Sequence, residues 1–162
     1  MVERRPGERA TAGRGSQAEK SGVLVMAYGT ARDLDDVERF YTDIRRGSPP
    51  PPELLAELEE RYRAIGGRSH LHAITEAQAH GIEARLGDVG VYVGQKHSPP
   101  FIADGVARAA SEGVKRLVGL VLAPHYSSLS VGDYERRARR AADRLGWRGR
   151  FDMVRSWHDE PG

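Results

Sequence analysis

Apolar residues fall along the chain in two rhythms. The stretch Gly22–Ala27 holds four consecutive apolar residues before Ala27, and similar runs recur at Val89–Gly94 and Leu117–Leu122. Runs without polar alternation read as strands buried on both faces, as in the middle of a parallel sheet. A more mixed run, Phe151–Trp157, reads as a fourth strand. Between the runs, apolar positions recur every three or four residues, the spacing of a helix with one buried face. Asp33 is placed to cap a helix that carries Leu34, Val37, Phe40, Tyr41 and Ile44 inward and stops at Arg45-Arg46-Gly47. The run Pro49–Pro52 predicts a rigid extended connector. It leads to a second helix bearing Leu54, Leu55, Leu58, Tyr62 and Ile65, closed by Gly66-Gly67. A third helix is predicted from Thr75 with Ile74, Ala77, Ala79, Ile82 and Leu86 as its apolar positions. A fourth follows Pro99-Pro100, and a fifth covers about Val131 to Leu145.

Strands alternating with helices give an α/β fold, with a four-stranded parallel sheet between helical layers. Two helices and a polyproline bridge between the first two strands make a large excursion, of the kind that builds a pocket wall. The last strand has no following helix, so one flank of the sheet is expected to be bare. The 162 residues suffice for one domain with a true core. Met1 to Ser21 carries almost no large apolar side chain, so residues 1–21 are expected to form a disordered tail and 22–162 the folded unit.

Composition narrows the chemistry. Hydrophobic residues are 39% and charged residues 30%, with a formal net charge of +2, so bulk charge does not suggest a nucleic-acid binder. The absence of cysteine excludes disulfides, thiolate metal sites and cysteine nucleophiles, and fits a cytoplasmic protein. No apolar run approaches the roughly 20 residues of a membrane helix, and the N-terminal stretch lacks the apolar middle of a secretory signal.

Ligands of such sheets bind beyond the carboxyl ends of the strands. Those ends deliver Tyr28 from the first strand, Lys96 and His97 from the second, and His125 and Tyr126 from the third. The excursion adds Arg45, Arg46, Arg61 and Tyr62. A basic, aromatic-lined crevice suits a flat apolar ligand with carboxylate substituents, because guanidinium forks grip carboxylates and rings stack on a planar face. Gly29-Thr30-Ala31-Arg32 matches neither the dinucleotide nor the phosphate-loop pattern. Several of these residues also have plainer readings. Cations at Arg45-Arg46 offset a helix dipole without any ligand, and His125 reads as a neutral loop histidine. The arginines from Arg136 to Arg144 read as a solvated face. Ser127, Ser128 and Ser130 have no activating base at fixed spacing.

Taken together, LVMAYGT at Leu24–Thr30, IRRG at Ile44–Gly47, RYRAIGG at Arg61–Gly67, ITEAQAH at Ile74–His80, LAPHYS at Leu122–Ser127 and WHDEP at Trp157–Pro161 closely resemble the ferrochelatases, in particular their coproporphyrin type from Gram-positive bacteria. The resemblance covers nearly everything from Gly22 onward and corresponds to the N-terminal half. It implies a chelatase fold of two similar α/β halves with the porphyrin between them. The implied reaction, in haem biosynthesis, inserts ferrous iron into coproporphyrin III to give coproheme. Iron and porphyrin are then substrates, and no prosthetic group is implied. By the same resemblance Tyr28 faces the metal centre as an axial oxygen ligand and Arg45 pairs with a propionate. Arg61, Tyr62, Ser69 and Tyr134 contact the porphyrin, with Arg46, Lys96, His97 and His125 nearby. The family's metal-delivering histidine and its acidic partner belong to the second half, so no catalytic residue is assigned, and the chain alone is expected to be weak or inactive. Self-association or a missing second half would complete the cleft. Two rivals are a half-length chelatase working as a homodimer, as in sirohaem and cobalamin synthesis, and a porphyrin-binding module without catalysis.

Overall fold

The computed structural model describes residues 19–161. The expected tail therefore lies, up to residue 18, outside the described residues; the first strand opens at Ser21, one residue inside its predicted limit. The strands are β1 (Ser21–Ala27), β2 (Gly90–Gln95), β3 (Arg116–Val121) and β4 (Arg150–Val154). They form one parallel sheet in the order β2-β1-β3-β4. The helices are α1 (Val37–Ile44), α2 (Pro52–Ala64), α3 (Leu71–Leu86), α4 (Ile102–Ser111) and α5 (Val131–Arg144). The parallel α/β architecture predicted from the apolar runs is the one observed.

Side chains alternate across a strand, and that alternation sorts the core. Leu24 and Met26 of β1, Tyr92 of β2, Leu117 and Val121 of β3 and Phe151 of β4 meet Ile102 and Val106 of α4 and Val131 and Ala138 of α5. Burying each large apolar side chain contributes about 1.5–3 kcal/mol. Gly105 brings α4 down onto the sheet: a Cβ there would lie 2.6 Å from Leu24 Cδ1 and 2.8 Å from the Val93 carbonyl oxygen. On the opposite face α3 covers β2, where His72 reaches Gln95. Among the described residues no helix covers β3 and β4 on that face, and Val118, Leu120 and Val154 are half-buried. This is the bare flank expected where the fourth strand has no helix after it in the sequence. A smaller cluster of Ala31, Val37, Phe40 and Tyr62 joins α1 to α2 beside the exit of β1.

Several boundaries differ from the predicted ones. Asp33 caps a short 3-10 turn (Leu34–Asp36) rather than α1 itself, accepting from the Asp36 amide. Pro52, expected in the connector, is the first residue of α2, where a missing N–H costs nothing. α3 starts at Leu71 instead of Thr75, because Ser69 Oγ accepts the Leu71 amide and opens the helix early. Its buried positions are Thr75 and Ala79, whereas Ile74 and Leu86, expected inward, are 51% and 45% exposed. Leu54 and Ile65 of the second predicted apolar face are likewise exposed. β4 stops at Val154. The expected strand end at Trp157 instead leaves the sheet and folds back over the exit of β3, with its amide on Pro124 O and its indole on Val121 O.

Candidate functional site

The winding of the sheet reverses between β1 and its neighbours, so the crevice at the carboxyl end of β1 is the natural ligand position. Tyr28 stands there, 46% exposed, although the three residues Leu24, Val25 and Met26 behind it are fully buried. Its backbone is held on both sides. The Lys96 and His97 amides donate to Ala27 O and Tyr28 O, each at 3.0 Å, so the loop after β2 zips onto the exit of β1. Gly29, at φ +93°, turns the chain where a Cβ would run into Ser98 Oγ. That hydroxyl accepts the Thr30 amide at 3.0 Å and donates to Gln95 Oε1 at 2.8 Å.

Three groups surround the phenol ring. His97 lies against it, with ring centroids 4.6 Å apart and an interplanar angle of 58°. His97 is buried, and its Nδ1 is 2.6 Å from Asp43 Oδ1. Burial lowers the His97 pKa; the Asp43 contact works against that and the nearby Arg137 and Lys96 work with it. The Lys96 ammonium sits 5.3 Å from the Tyr134 ring centroid and 6.0 Å from that of Tyr28, anchored by Asp133 at 2.7 Å. Arg137 donates to the same Asp133 oxygen and to Lys96 O. Burial alone would raise the Asp133 carboxyl, but hydrogen bonds from Lys96 and Arg137 outweigh it and hold the pKa down to about 2. Tyr134, buried beneath Lys96, is pushed up to about 12 by burial and by the neighbouring Tyr28.

Tyr28, Lys96, His97, Asp133 and Arg137 form one wall of a cavity of about 1040 Å³. Ile44 and Arg46 at the end of α1, Phe101 and Ala107 around α4, and the Arg136–Leu145 side of α5 complete its lining. The cavity thus brings together Tyr28, Arg46, Lys96 and His97 from the predicted set. The others lie elsewhere. Arg45 is exposed beside the cavity. Arg61 pairs with Glu57, and Ser69 caps α3. Tyr62 is buried, its hydroxyl 2.7 Å from Thr30 Oγ1 and accepting the Ala31 amide at 3.1 Å, so it fixes the loop after Tyr28 from behind. His125 stacks on His158 at 4.7 Å. Among the described residues no group of three or more histidines and carboxylates is arranged to hold a metal ion.

A family model described as Ferrochelatase matches residues 20–162. The chain belongs to the ferrochelatase family. Relatives named coproporphyrin III ferrochelatase include one from Bacillus pumilus, 49% identical over 151 residues that cover 90% of this chain and 48% of the relative. Those from Bacillus subtilis and Listeria monocytogenes are each 48% identical over 149 residues, covering 88% of this chain and 48% of the relative. The chain spans about half the length of these ferrochelatase relatives.

For this ferrochelatase-family chain, two features of the site escaped the reading of the sequence. Asp43 sits on α1 among residues whose period marks an ordinary amphipathic helix, and nothing in its spacing announces His97 as its partner. The arginines of α5 were expected to face solvent. Arg136, Arg140 and Arg144 are exposed and Arg137 is half-buried, yet all four line the cavity. The four-residue spacing of Arg136, Arg140 and Arg144, opposite the buried Ala138, Ala141 and Ala142, was the readable signal for a single cationic stripe.

Proposed function

We propose that this chain is the porphyrin-binding half of an enzyme that inserts ferrous iron into coproporphyrin III to give coproheme. The observation that carries the reading is Tyr28, a half-exposed phenol fixed at the end of the central strand on the wall of a cavity with cationic and apolar sides. The names of the relatives support the substrate, and the chemistry of the wall suits it. A porphyrin offers an apolar planar body for Ile44, Phe101 and Ala107, and carboxylates for the arginines.

Metallation requires two pyrrole protons to leave and the ring to pucker so that a nitrogen lone pair meets the iron. Binding energy from the ring edge is available to distort the centre. In this reading Tyr28 points its oxygen at the metal centre, and Arg45 and Arg46 take propionates at the end of α1. Tyr62 keeps the Thr30–Ala31 loop, and with it Tyr28, in place. Lys96 and His97 hold the phenol from the sides. This wall serves one face of the macrocycle, so turnover by the 162-residue chain alone is expected to be weak.

Anaerobic incubation with ferrous iron and coproporphyrin III, followed by absorbance, tests the activity; turnover matching that of a full-length relative would overturn the expectation of weakness. Separately, Tyr28→Phe should shift the absorbance of bound coproheme without altering the far-ultraviolet circular dichroism. An unchanged coproheme spectrum would count against axial ligation by Tyr28.

A further inference from the structure

We infer that His72 of α3 is a positioning residue for Tyr28, acting through Gln95 and Ser98 on the turn at Gly29; its bearing on a metal centre rests on the axial-ligand reading above. His72 stands outside the cavity, half-buried in the first turn of α3. Three hydrogen bonds in series join it to the turn. The Thr30 amide donates to Ser98 Oγ at 3.0 Å, the Ser98 hydroxyl donates to Gln95 Oε1 at 2.8 Å, and Gln95 Nε2 is 2.8 Å from His72 Nδ1. Thr30, Gln95 and Ser98 are buried, so water is kept from replacing a lost link.

The series runs in one direction only. The Ser98 hydroxyl gives its single hydrogen to Gln95, which puts the amide oxygen on that side. The amide nitrogen lies 3.4 Å from the Pro99 carbonyl oxygen, which can only accept. With both ends of the amide fixed, His72 Nδ1 must accept. The ring hydrogen then sits on Nε2, which faces Glu76 Oε1 at 4.0 Å, a carboxylate placed to favour that tautomer. Among the described residues no buried side-chain polar atom lacks a partner, so the series is complete.

Gly29 explains why such a series is needed. At φ +93° it occupies a region that glycine enters as readily as it leaves. No side chain of its own keeps Tyr28 at one angle, so neighbouring atoms must. Before the glycine, the His97 amide holds Tyr28 O. The first amide beyond it belongs to Thr30, and Ser98 Oγ holds that one. Tyr62 grips the Thr30 hydroxyl and the Ala31 amide, farther from the phenol along the chain. Without His72 as acceptor, Gln95 is free to turn, and Ser98 loses the partner that aims its oxygen at Thr30.

Two measurements test the inference, one of them without any ligand. Exchange of the Thr30 amide in deuterated water, followed by NMR, reads the turn in the free chain. The absorbance of bound ferric coproheme reads the phenol. His72→Leu removes the acceptor, whereas His72→Asn keeps one, because an Asn Oδ1 falls where Nδ1 stood. His72→Leu should speed Thr30 exchange about threefold or more, as expected for one lost hydrogen bond, and move the coproheme spectrum toward that of Tyr28→Phe. His72→Asn should restore both. His80→Leu, at an exposed position of the same helix, should change neither. Ser98→Ala cuts the series nearer the turn and should repeat both effects of His72→Leu with α3 untouched. Unchanged Thr30 exchange in His72→Leu would overturn the inference. So would faster exchange with a wild-type coproheme spectrum, or His72→Asn behaving as His72→Leu. If Tyr28→Phe leaves the coproheme spectrum unchanged, the axial-ligand reading and the positioning role fall together; the exchange measurement, which needs no porphyrin, separates that failure from a broken series.

Discussion

Replacing Gly29 by alanine would do two kinds of damage at once. The backbone there sits at φ +93°, and the new Cβ would meet Ser98 Oγ, the atom that clasps Thr30 to Gln95. Left-handed strain with loss of that clasp should cost about 1–3 kcal/mol, read as a lower urea midpoint at unchanged slope. Asp133 acts through charge instead. Its carboxyl is held at about 2 against an ordinary 3.8. A depressed folded-state pKa stabilises the protein above the unfolded value, and that stabilisation disappears as pH falls through the folded one. Asp133→Asn should therefore melt below wild type at pH 6, and the gap should close between pH about 4 and 2. A gap independent of pH would show that the loss comes from packing and not from the ion pairs with Lys96 and Arg137.

How closely an element approaches the sheet is set by single positions. α4 rests on β1 and β2 because Gly105 has no side chain, and Gly105→Ala should force it off the Val93 carbonyl. Overpacking of this kind costs about 1–3 kcal/mol. At roughly 2–4 °C per kcal/mol for a chain of this size, the melting temperature should fall by several degrees. Tyr62→Phe tests the tie between α2 and the loop after β1. It removes the acceptor of the buried Ala31 amide and the partner of Thr30 Oγ1, so about 1–3 kcal/mol should be lost in urea unfolding. The same elements show why some boundaries were legible and others not. The strands announced themselves through uninterrupted apolar runs, which few other structures explain. α3 did not, because its inward stripe is made of Thr75, Ala79 and the half-buried Ile82 while its larger Ile74 and Leu86 face out. Where small or polar residues do the packing, apolar periodicity points to the wrong side of the helix.

The strand ends were predicted to converge, and Tyr28, Lys96 and His97 do. That followed from topology alone, since parallel strands send their exits to one edge. Which distant helix borders the crevice depends on how α4 and α5 lean on the sheet, and no local pattern carries that. Hence Arg46 was legible and the α5 stripe was read as solvated. The face over β3 and β4 that the described residues leave uncovered was anticipated, because the fourth strand has no helix after it in the sequence. Its half-buried Val118, Leu120 and Val154 make a contiguous apolar surface of the kind that binds hydrophobic dyes. The chain should enhance anilinonaphthalene sulfonate fluorescence in its native state, and Leu120→Lys should remove most of the enhancement. An enhancement that survives the substitution would place the dye elsewhere.

The central place of β1 also has a bearing on synthesis. It is made before both of its partners, so Gly22 must wait for Gly90 on one side and Leu117 on the other before its hydrogen bonds are complete. Until β3 emerges, this apolar strand keeps one side unpaired even after β2 has joined it. Partners so far apart in sequence make folding slow and exposed to misassembly. A nascent chain halted before Arg116 should remain sensitive to protease at Val23–Met26, and one halted beyond Val154 should be protected there.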